Sequence, residues 1–532
     1  MPKVLVTDPL NDIGLKILQD IAEVNYSPGL SKEEIIKIIG EYDALLVRSG
    51  TFVGKEIIDS CSPTMKIIGR AGVGVDNIEL EAATQKGIVV VNSPDGNTTA
   101  AAEHTVAMMM SLTRLIPAAN ESMKHKEWKR KNFMGVEMRN KVLGVVGLGK
   151  IGSKVVQVAQ ALGMKVLGYD PVISASRAAN MNIELVELER IWKDSDFITL
   201  HVPKVEQTVN LICKETIAQM KPEVRIINCA RGGIVNEKDI VDAIKEKRIA
   251  GAALDVFDNE PLEKESPLYE LISEGCNNLI LTPHLGASTE EAQLNVAIDV
   301  AEQIKEVLSG GFARSAVNLP SFRGIALDEF ESHLKLSEFL GKLLDQFSGS
   351  ARPLELNVQF KGDLTKKETT PLVLAATKGF LAKKIEGVSF VNAKLIAEEK
   401  GIKVVESKSS DKSDYAEEMV LELKTDKGNF QVAGTLHNDK FPMITSLNHY
   451  SFFVAPSSHM LLTLHDDKPG VIAKVSKLLG DNDINISGMA LGRKGVREEA
   501  LMLCNLDEAL SKENLAKIKE VGEVQKAAYI SL

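Results

Sequence analysis

The sequence has few cysteines, and their spacing is not typical of a structural site. Five cysteines are scattered along 532 residues, and no two of them stand in CxxC spacing. An odd, scattered set neither builds a disulfide framework nor supplies the paired ligands of a zinc site. We therefore expect reduced thiols, a cytoplasmic protein and no bound metal.

Long apolar runs are also missing. The most apolar predicted helix, near residues 100–112, is interrupted by Glu103 and His104, and no run approaches the ~20 residues that a helix needs to cross a bilayer. The N-terminus begins as a strand and lacks the long apolar region of a signal peptide. We expect no membrane partner.

An excess of basic charge is absent as well. Lys and Arg number 63 against 73 Asp and Glu, which gives a formal net charge of −10. This balance disfavours non-specific binding to nucleic acid or to an anionic membrane, so an anionic substrate would need a local basic cluster. A hydrophobic content of 44% and a charged content of 26% are ordinary for a globular protein. The length predicts three or four domains.

One stretch combines a buried strand, a glycine-rich turn and an amphipathic helix. The apolar residues 142–146 lead into GLGKIG at 147–152, and a helical pattern follows. In such a unit Gly147 permits a tight turn, Gly149 lets backbone N–H groups approach a pyrophosphate, and Gly152 allows close helix packing. The positive helix N-terminus would face the phosphates. The stretch predicts a dinucleotide-binding site.

Asp170 ends the next predicted strand, 18 residues beyond Gly152. A carboxylate at this place accepts hydrogen bonds from the ribose hydroxyls of the adenosine. It would also repel a 2′-phosphate, so the expected cofactor is NAD rather than NADP.

Residues 1 to about 95 alternate strand and helix signals, which is typical of a small parallel sheet covered by helices. Arg48 and Arg70 stand at the ends of two of these strands, where parallel sheets bind ligands. The loop after Arg70 includes Gly72 and Val73, and its N–H groups could cradle an anion. For either arginine alone, an ordinary surface position is the alternative.

Special or polar residues also end the later strands. They are HVP at 201–203, NCARGG at 228–233, Asp255 and PHLG at 283–286. The carboxyl ends of the strands of one parallel sheet face one crevice. We therefore expect these residues to surround one ligand.

Arg231, Glu260 and His284 form a set suited to oxidising a secondary alcohol beside a carboxylate. That reaction needs a base for the hydroxyl proton, a cation for the carboxylate and a hydride acceptor. His284 has an unperturbed pKa of ~6.5, which a neighbouring carboxylate such as Glu260 could raise toward the working pH. Arg231 can bind a carboxylate through two parallel hydrogen bonds. The alternative roles are a core histidine, a surface glutamate and a structural ion pair.

The motifs GLGKIG with Asp170, NCARGGIVNE, AALDVFDNEP and PHLGAST, in this order, resemble those of the D-isomer-specific 2-hydroxyacid dehydrogenases. The segments GRAGVGVDN and WKRKNFMG and the extra C-terminal third resemble the long-form members of this family that oxidise 3-phospho-D-glycerate. The resemblance covers essentially the whole chain, densely to about residue 320 and more loosely beyond it.

The resemblance implies a set of site residues. Arg231, Glu260 and His284 would be catalytic. Contacts with NAD would come from Gly147, Gly149, Lys150, Ile151, Gly152, Asp170, Val202, Pro203, Cys229, Ala230, Arg231, Asp255, His284, Gly286 and Ala287. Contacts with the substrate would come from Arg48, Arg70, Gly72, Val73, Arg231 and His284. Val73 and Val202 depart from the family, because relatives often carry threonine at both places, and each loses a hydroxyl contact to the cofactor.

The same family implies an α/β architecture with two Rossmann-like doubly wound parallel-sheet domains. An α+β intervening domain and a ferredoxin-like ACT domain of βαββαβ order follow. The strand and helix signals of residues 459–532 predict this βαββαβ order independently of the resemblance. The expected boundaries are 1–97 with 292–318 for a discontinuous substrate-binding domain, 98–291 for the NAD-binding domain, 319–456 for the intervening domain and 457–532 for the ACT-like domain.

The sequence leaves two possibilities for the last domain, which either binds an effector or serves only in assembly. Bacterial members sense serine with a histidine and an asparagine in the first loop and another asparagine before the second strand. His465 and Asn485 match, but Asp467 replaces the loop asparagine. An ionised aspartate only accepts hydrogen bonds and would repel the carboxylate of serine. We expect a weakened serine site and a domain that serves mainly in assembly.

The basic segment HKEWKRKNF, residues 125–133, allows two interpretations. The usual one is a solvated face. The other is a contribution to an anionic substrate site across a subunit boundary of a homo-oligomer, dimer or tetramer.

The resulting prediction is NAD-dependent oxidation of 3-phospho-D-glycerate to 3-phosphohydroxypyruvate, the entry step of L-serine synthesis. One alternative is a dehydrogenase of another D-2-hydroxy acid, such as 2-hydroxyglutarate. The other is an NAD-sensing transcriptional corepressor of the same fold. The ACT-like tail and the second anion-binding arginine favour phosphoglycerate. The acidic balance and the absence of a basic nuclear-targeting run disfavour the corepressor and any nucleic-acid partner.

Overall fold

The computed structural model describes residues 1–319, 327–411 and 414–531. Within these ranges the strands form four sheets of five, seven, six and four strands. Residues 320–326 of the expected intervening domain, close to its expected boundary at 318–319, lie outside the described part. No helix of the described residues is long and apolar enough to span a bilayer.

The first sheet is parallel throughout and has the order β2-β1-β3-β4-β5. Its strands are β1 (Lys3–Val6), β2 (Glu23–Tyr26), β3 (Ala44–Val47), β4 (Ile67–Arg70) and β5 (Val89–Asn92). Its helices are α1 (Asp12–Gln19), α2 (Lys32–Ile38) with a 3₁₀ turn at Ile39–Glu41, α3 (Lys55–Asp59) and α4 (Leu80–Lys86). The central strands are apolar on both faces because helices cover both.

The long helix α5 (Thr98–Arg114) carries the chain to the second sheet, and α6 (Ile116–Lys124) and a 3₁₀ turn at Arg130–Asn132 follow. Asn97 stands at the N-cap of α5, but its side chain makes no capping hydrogen bond. An asparagine at this place is typical of a side-chain cap, but the Asn97 Oδ1 atom is buried without a partner. Its backbone carbonyl instead accepts the N–H of Ala101 at 2.9 Å.

The second sheet is also parallel and has the order β12-β11-β10-β9-β6-β7-β8. Its strands are β6 (Val142–Val146), β7 (Lys165–Tyr169), β8 (Glu184–Leu185), β9 (Phe197–Leu200), β10 (Arg225–Asn228), β11 (Gly251–Leu254) and β12 (Leu279–Leu281). Its helices are α7 (Lys150–Ala161), α8 (Ala175–Asn180), α9 (Leu188–Asp194), α10 (Lys214–Ile217), α11 (Glu237–Lys245) and α12 (Pro267–Ser273). The strand order reverses between β6 and β9, and the crevice at such a switch point is where doubly wound sheets bind ligands.

Helix α13 (Glu290–Leu308) then returns to the first sheet. Ala297, Val300 and Ile304 are fully buried in the same core as the apolar residues of β1. Beyond the helix, the N–H of Val317 donates to the carbonyl of Val90 at 2.7 Å. Helix α13 and the segment after it thus contact the strands of the first sheet.

The third sheet has the order β14-β13-β15-β16-β17-β18 and is antiparallel except for the parallel pair β13–β14. Its strands are β13 (Pro353–Gly362), β14 (Lys403–Ser409), β15 (Glu417–Thr425), β16 (Gly428–His437), β17 (Phe441–Leu447) and β18 (Tyr450–Val454). Its helices are α14 (Leu327–Ser348), α15 (Thr370–Leu381) and α16 (Ala393–Glu399), with a 3₁₀ turn at Asp363–Lys366.

The fourth sheet is antiparallel, with the order β20-β21-β19-β22. Its elements are β19 (His459–Asp466), α17 (Val471–Gly480), β20 (Ile486–Arg493), β21 (Glu499–Leu506), α18 (Lys512–Lys519) and β22 (Val524–Ser531), so the predicted βαββαβ order is confirmed. One face of this sheet, with Met460, Leu462 and Leu503, shares a core with the third sheet. The other face packs on α17 and α18.

Candidate active site

His284 and Glu260 form a hydrogen-bonded pair beyond the ends of β12 and β11. The backbone at His284 is left-handed, with φ of 53°, and its N–H donates to the carbonyl of Asp255 at 2.9 Å. The His284 Nδ1 atom lies 2.6 Å from Glu260 Oε2, while Glu260 Oε1 accepts the N–H of Phe257 at 3.0 Å. Burial acts to raise the pKa of Glu260, but these hydrogen bonds outweigh it and lower that pKa. The Glu260 carboxylate thus stays ionised beside the His284 ring. Its hydrogen bond uses Nδ1 of that ring and not Nε2.

Arg231 follows β10 and reaches toward the first sheet. Its own loop is held by Asn228, whose side chain accepts the N–H of Ala230 at 3.0 Å and donates to the carbonyl of Arg231 at 2.9 Å. The Arg231 Nη1 atom donates to the carbonyl of Ala230 at 2.7 Å. The Nε atom donates to Asp76 Oδ2 at 3.0 Å, on the loop after β4.

Arg48 and Arg70 extend from the ends of β3 and β4, as the sequence predicts. The Nε atoms of both are buried and have no hydrogen-bond partner among the described residues. Burial first, and then the charge of Arg231, lower the pKa of Arg70 to about 10. The charges of Arg48 and Arg231 both act on Arg70, so the three guanidinium groups lie in one region, an arrangement suited to an anionic ligand.

The loop after Arg70 departs from the expected anion cradle at Gly72. The N–H of Gly72 donates to the carbonyl of Arg70 at 2.8 Å, so this amide is already used. The carbonyl of Val73 accepts a hydrogen bond from the side chain of Asn92, which fixes the loop to the end of β5. The loop therefore positions side chains rather than offering the Gly72 amide to a ligand.

The glycine loop after β6 has the geometry that a pyrophosphate requires. Gly147 has φ of +95°, which favours glycine, and a Cβ at Gly152 would lie 2.0 Å from the carbonyl oxygen of Gly147. A Cβ at Gly149 would meet nothing within 4 Å. Gly149 is the N-cap residue of α7, and it has no side chain that could accept hydrogen bonds from the first N–H groups of the helix. These N–H groups therefore stay available to a ligand. These residues fit a dinucleotide phosphate.

Asp170 lies beside that loop at the end of β7. Its Oδ2 accepts the N–H of Leu148 at 2.8 Å, and its Oδ1 accepts the N–H groups of Val172 and Ile173 at 2.9 and 3.1 Å. These bonds fix the carboxylate at the rim of the crevice. Its position fits the ribose contact that the sequence predicts.

Asp255 is the buried centre of the opposite rim. Its two oxygens accept the N–H groups of Leu285 and Gly286 at 2.8 and 2.9 Å and the hydroxyl of Thr282 at 2.5 Å. His104 Nε2 lies 3.1 Å from Asp255 Oδ1. Burial acts to raise the pKa of Asp255, but the hydrogen bonds from His104 and Thr282 lead the effects that lower it.

His104, Cys229 and Asp255 also place one possible metal-ligand atom each within 4.8 Å of one another. Both oxygens of Asp255 are already hydrogen-bonded, and burial raises the pKa of Cys229 to about 12, which disfavours the thiolate that a metal requires. Both features make the cluster poorly suited to a metal ion.

The remaining expected cofactor residues lie at the same edge of the second sheet. Val202 and Pro203 follow β9, Ala230 follows β10, Ala287 lies beyond β12, and Lys150 and Ile151 begin α7. Lys150 Nζ contacts Asp95 Oδ1, on the chain segment between the first two sheets. One edge of the second sheet thus brings together all the residues expected to contact the cofactor.

Four residues that received no role from the sequence bind predicted site residues. They are Asp76, Asp95, His104 and Thr282. Asp76 lies within the quoted segment GRAGVGVDN and Thr282 lies directly before PHLG, so both were close to a sequence signal. His104 attracts notice in the sequence only as an interruption of an apolar helix.

The three expected effector residues each have separate surroundings. His465 is buried in β19, and burial lowers its pKa. Asp467 Oδ2 accepts the N–H of Arg497 at 3.1 Å and lies 3.6 Å from Arg493 Nε. Asn485 Nδ2 donates to Asp507 Oδ2 at 2.7 Å.

Three family models match successive parts of the chain. Residues 106–286 match the NAD-binding domain of D-isomer-specific 2-hydroxyacid dehydrogenases, residues 329–448 match the D-3-phosphoglycerate dehydrogenase intervening domain, and residues 459–523 match the ACT domain.

Similar curated proteins span the full length. A D-3-phosphoglycerate dehydrogenase of Synechocystis sp. is 50% identical over 534 residues, covering 100% of this chain and 95% of the relative. One from Methanocaldococcus jannaschii is 43% identical over 535 residues, with 100% of both chains covered. Among solved structures, D-lactate dehydrogenase from Aquifex aeolicus, complexed with NAD and lactic acid, has a TM-score of 0.52 and 26% identity, covering 58% of this chain and 96% of its own.

Proposed function

The chain belongs to the D-3-phosphoglycerate dehydrogenases of the D-isomer-specific 2-hydroxyacid dehydrogenase family, and from this membership we propose how its site works. It oxidises 3-phospho-D-glycerate at C2 to 3-phosphohydroxypyruvate with NAD, the entry step of L-serine synthesis. The observation that carries the proposal is the His284–Glu260 pair at 2.6 Å, set at the same sheet edge as Arg231. This is the acid–base and cation set that oxidation of a 2-hydroxy acid requires.

His284 is the base that accepts the proton of the C2 hydroxyl. Glu260 holds the ring through Nδ1 and stabilises the imidazolium that forms, because its carboxylate stays ionised. The Nε2 atom therefore faces the hydroxyl, as in other base–orienter pairs. Arg231 binds the carboxylate and the oxygen that becomes a carbonyl.

NAD, when bound, supplies the nicotinamide that accepts the C2 hydride. The chain holds the dinucleotide through the open face of Gly149 and the N-terminus of α7. Asp170 receives the ribose hydroxyls and disfavours a 2′-phosphate by like charge. Asp255 orders the loop of Leu285 and Gly286, and Cys229, whose buried thiol stays protonated because burial raises its pKa, would contribute an apolar surface to the cofactor site.

Arg48 and Arg70 bind the phosphate end of the substrate. Their unpaired buried Nε atoms support this role, because a buried cationic donor without a partner costs free energy that an anionic ligand recovers. A site for lactate needs one cation for the carboxylate, whereas this site supplies two further guanidinium groups.

The domain division, assembly and location belong to the same proposal. The boundaries are those expected from the sequence, with 1–97 and 292–318 forming one domain and 98–291, 319–456 and 457–532 the others. A homo-oligomer is supported by Trp128 and Met134, which are 81% and 85% exposed on the segment after α6, since large exposed apolar side chains mark contact surfaces. Cytoplasmic location is supported by the five free thiols, which fit a reducing compartment.

Following NADH absorbance with a panel of 2-hydroxy acids tests the function. We expect the largest kcat/KM with 3-phospho-D-glycerate and NAD, and lower values with D-lactate, D-glycerate, 2-hydroxyglutarate or NADP. Faster oxidation of an unphosphorylated acid would show that the phosphate is not what Arg48 and Arg70 bind. Absence of activity with every acid would contradict the catalytic assignment.

A further inference from the structure

Asp76 is an exposed carboxylate that contacts the catalytic machinery from the opposite sheet. Its Oδ2 accepts the Nε–H of Arg231 at 3.0 Å, although the two residues are carried by loops after β4 and β10. The Asp76 side chain is 68% exposed and that of Arg231 is 29% exposed. An exposed ion pair adds little to stability, so the contact has more consequence for where the guanidinium lies than for how stable the fold is.

The remaining contacts of Arg231 leave one end of the guanidinium available. Nε is taken by Asp76, and Nη1 gives one N–H to the carbonyl of Ala230. Neither of these two bonds uses Nη2 or the second N–H of Nη1. A guanidinium can bind a carboxylate through two parallel N–H···O bonds, and Nη2 with the second N–H of Nη1 remains for such a pair.

Gly74 lies directly beside the contact between Asp76 and Arg231. A Cβ at Gly74 would lie 2.1 Å from Arg231 Nη2 and 2.6 Å from Asp76 Oδ2. Only glycine leaves room for the guanidinium to lie against this loop and for Asp76 to reach Nε. Two residues of one loop, Gly74 and Asp76, thus define where Arg231 lies.

Asp76 also adds a negative charge to a cluster of three arginines. The charge of Arg231 lowers the pKa of the buried Arg70, and that of Asp76 raises it. Removing the carboxylate would leave Arg48, Arg70 and Arg231 with more unbalanced positive charge. An anionic substrate would then bind at least as well, because its attraction to the cluster increases.

We propose that Asp76 is a positioning residue for the reaction, which holds Arg231 by its Nε atom so that the Nη1–Nη2 edge faces the substrate. The inference rests on the proposed function, because it assigns Arg231 to the substrate carboxylate. Asp76 itself touches neither substrate nor cofactor. It follows that losing Asp76 harms turnover more than substrate affinity.

The test compares Asp76→Ala, which removes the acceptor, with Asp76→Asn, which keeps an acceptor oxygen of the same shape but removes the charge. We expect Asp76→Ala to lower kcat by ~10–100-fold, since misplacing a group by about 1 Å has effects of this size, while KM for 3-phospho-D-glycerate is unchanged or lower. Asp76→Asn should retain most of kcat and show the lower KM. Substrate deuterated at C2 should give a larger isotope effect on kcat with Asp76→Ala.

Two further measurements separate positioning from a general structural defect. In a double-mutant cycle, Asp76→Ala should cost much less in a background of Arg231→Lys, because the cation it positions is already altered. The control is Asp59→Ala, which removes an exposed carboxylate that pairs with Lys55 on α3 and should leave kcat and KM unchanged. NAD affinity should stay normal in every Asp76 variant.

Unchanged kcat in Asp76→Ala, a raised KM in both Asp76 variants, or additive effects with Arg231→Lys would each overturn the inference. Wild-type protein that oxidises a different 2-hydroxy acid instead of phosphoglycerate would contradict the substrate assignment alone. The same variants would then be assayed with that acid, because every substrate of this class carries the carboxylate that Arg231 binds.

Discussion

Among the described residues, the carboxylate of Glu260 fixes the orientation of His284 through Nδ1. We expect His284→Ala to lower kcat by ~10²–10⁴-fold, the contribution of a positioned acid–base group. NAD binding, measured by calorimetry, should be retained, since Asp170 and the glycine loop are untouched. Near-normal turnover of this variant would remove His284 from the mechanism.

Arg70 provides a second test at single-residue scale. We expect Arg70→Ala to raise KM for 3-phospho-D-glycerate more than KM for D-glycerate, because only the phosphorylated acid has the group that Arg70 binds. Lys66→Ala, an exposed cation just before β4, serves as the control and should change neither value. An equal effect of Arg70→Ala on both acids would mean that Arg70 does not meet the phosphate.

The sequence indicates most of the site because its chemistry follows strand ends. His284, Glu260, Arg231 and Asp170 all occur in or beside recognisable motifs, and parallel strands bring such ends together. Asp76 escapes that argument because its role depends on a contact at 3.0 Å between two sheets. The use of the Gly72 amide by Arg70 could not be predicted either, since it depends on the turn that the loop adopts.

At the scale of elements, the contact of α13 with β4 is unusually close. A Cβ at Gly69 would lie 2.6 Å from Val300 Cγ1 and 2.8 Å from Ile304 Cδ1. We expect Gly69→Ala to lower the free energy of unfolding by ~1–3 kcal/mol, as overpacking of a filled core does. Urea unfolding measures this, with Gly40→Ala as the control, where the nearest atom would be 3.5 Å away. Equal stability of the two variants would show that α13 shifts without cost.

Helix α14 and strand β15 share a buried acid–base contact. His333 Nε2 lies 2.6 Å from Glu417 Oε1, and both side chains are less than a tenth exposed. Burial acts to raise the pKa of Glu417, but the hydrogen bond from His333 leads the effects that lower it. A carboxyl with a lowered folded-state pKa contributes stability above its unfolded pKa of ~4.3 and loses it as the pH falls through the folded value.

We therefore expect Glu417→Gln to destabilise the protein at neutral pH, and the difference from wild type to shrink steadily below about pH 4.3. Denaturant unfolding at a series of pH values measures it. Glu422→Gln is the control, because Glu422 lies on the same strand but accepts a hydrogen bond from Asn429 and not from a histidine, and it should show no such pH dependence. A difference that stays constant down to low pH would contradict the assigned pair.

Element prediction succeeded where hydrophobic periodicity was strong. The apolar strand at residues 142–146 and the helix after the glycine loop occur as predicted, as β6 and α7, and the order of the last domain is as predicted. Strand β14 of the third sheet gives no comparable signal in the sequence. Strand β14 alternates exposed and half-buried residues at a sheet edge, so it lacks the buried apolar run that identifies a strand.

At the scale of the whole molecule, two of the three expected effector residues of the last domain already have partners within the chain. Asp467 interacts with Arg493 and Arg497, and Asn485 with Asp507. We expect little inhibition by L-serine, because these bonds must be broken and Asp467 repels the carboxylate. Calorimetry and turnover at rising L-serine concentration measure this. Tight binding that His465→Ala abolishes would show that the aspartate is tolerated.

The return of α13 to the first sheet has a consequence for synthesis on the ribosome. The strands of that sheet are complete at Asn92, but the apolar face that packs on Ala297, Val300 and Ile304 stays uncovered until α13 is made. That helix follows about 200 residues later, which at about 5–20 residues per second means an interval of about 10–40 s. During this interval the second sheet is translated and can fold first. The amino-terminal part of the nascent chain therefore keeps an apolar face open to aggregation or to a chaperone throughout this interval.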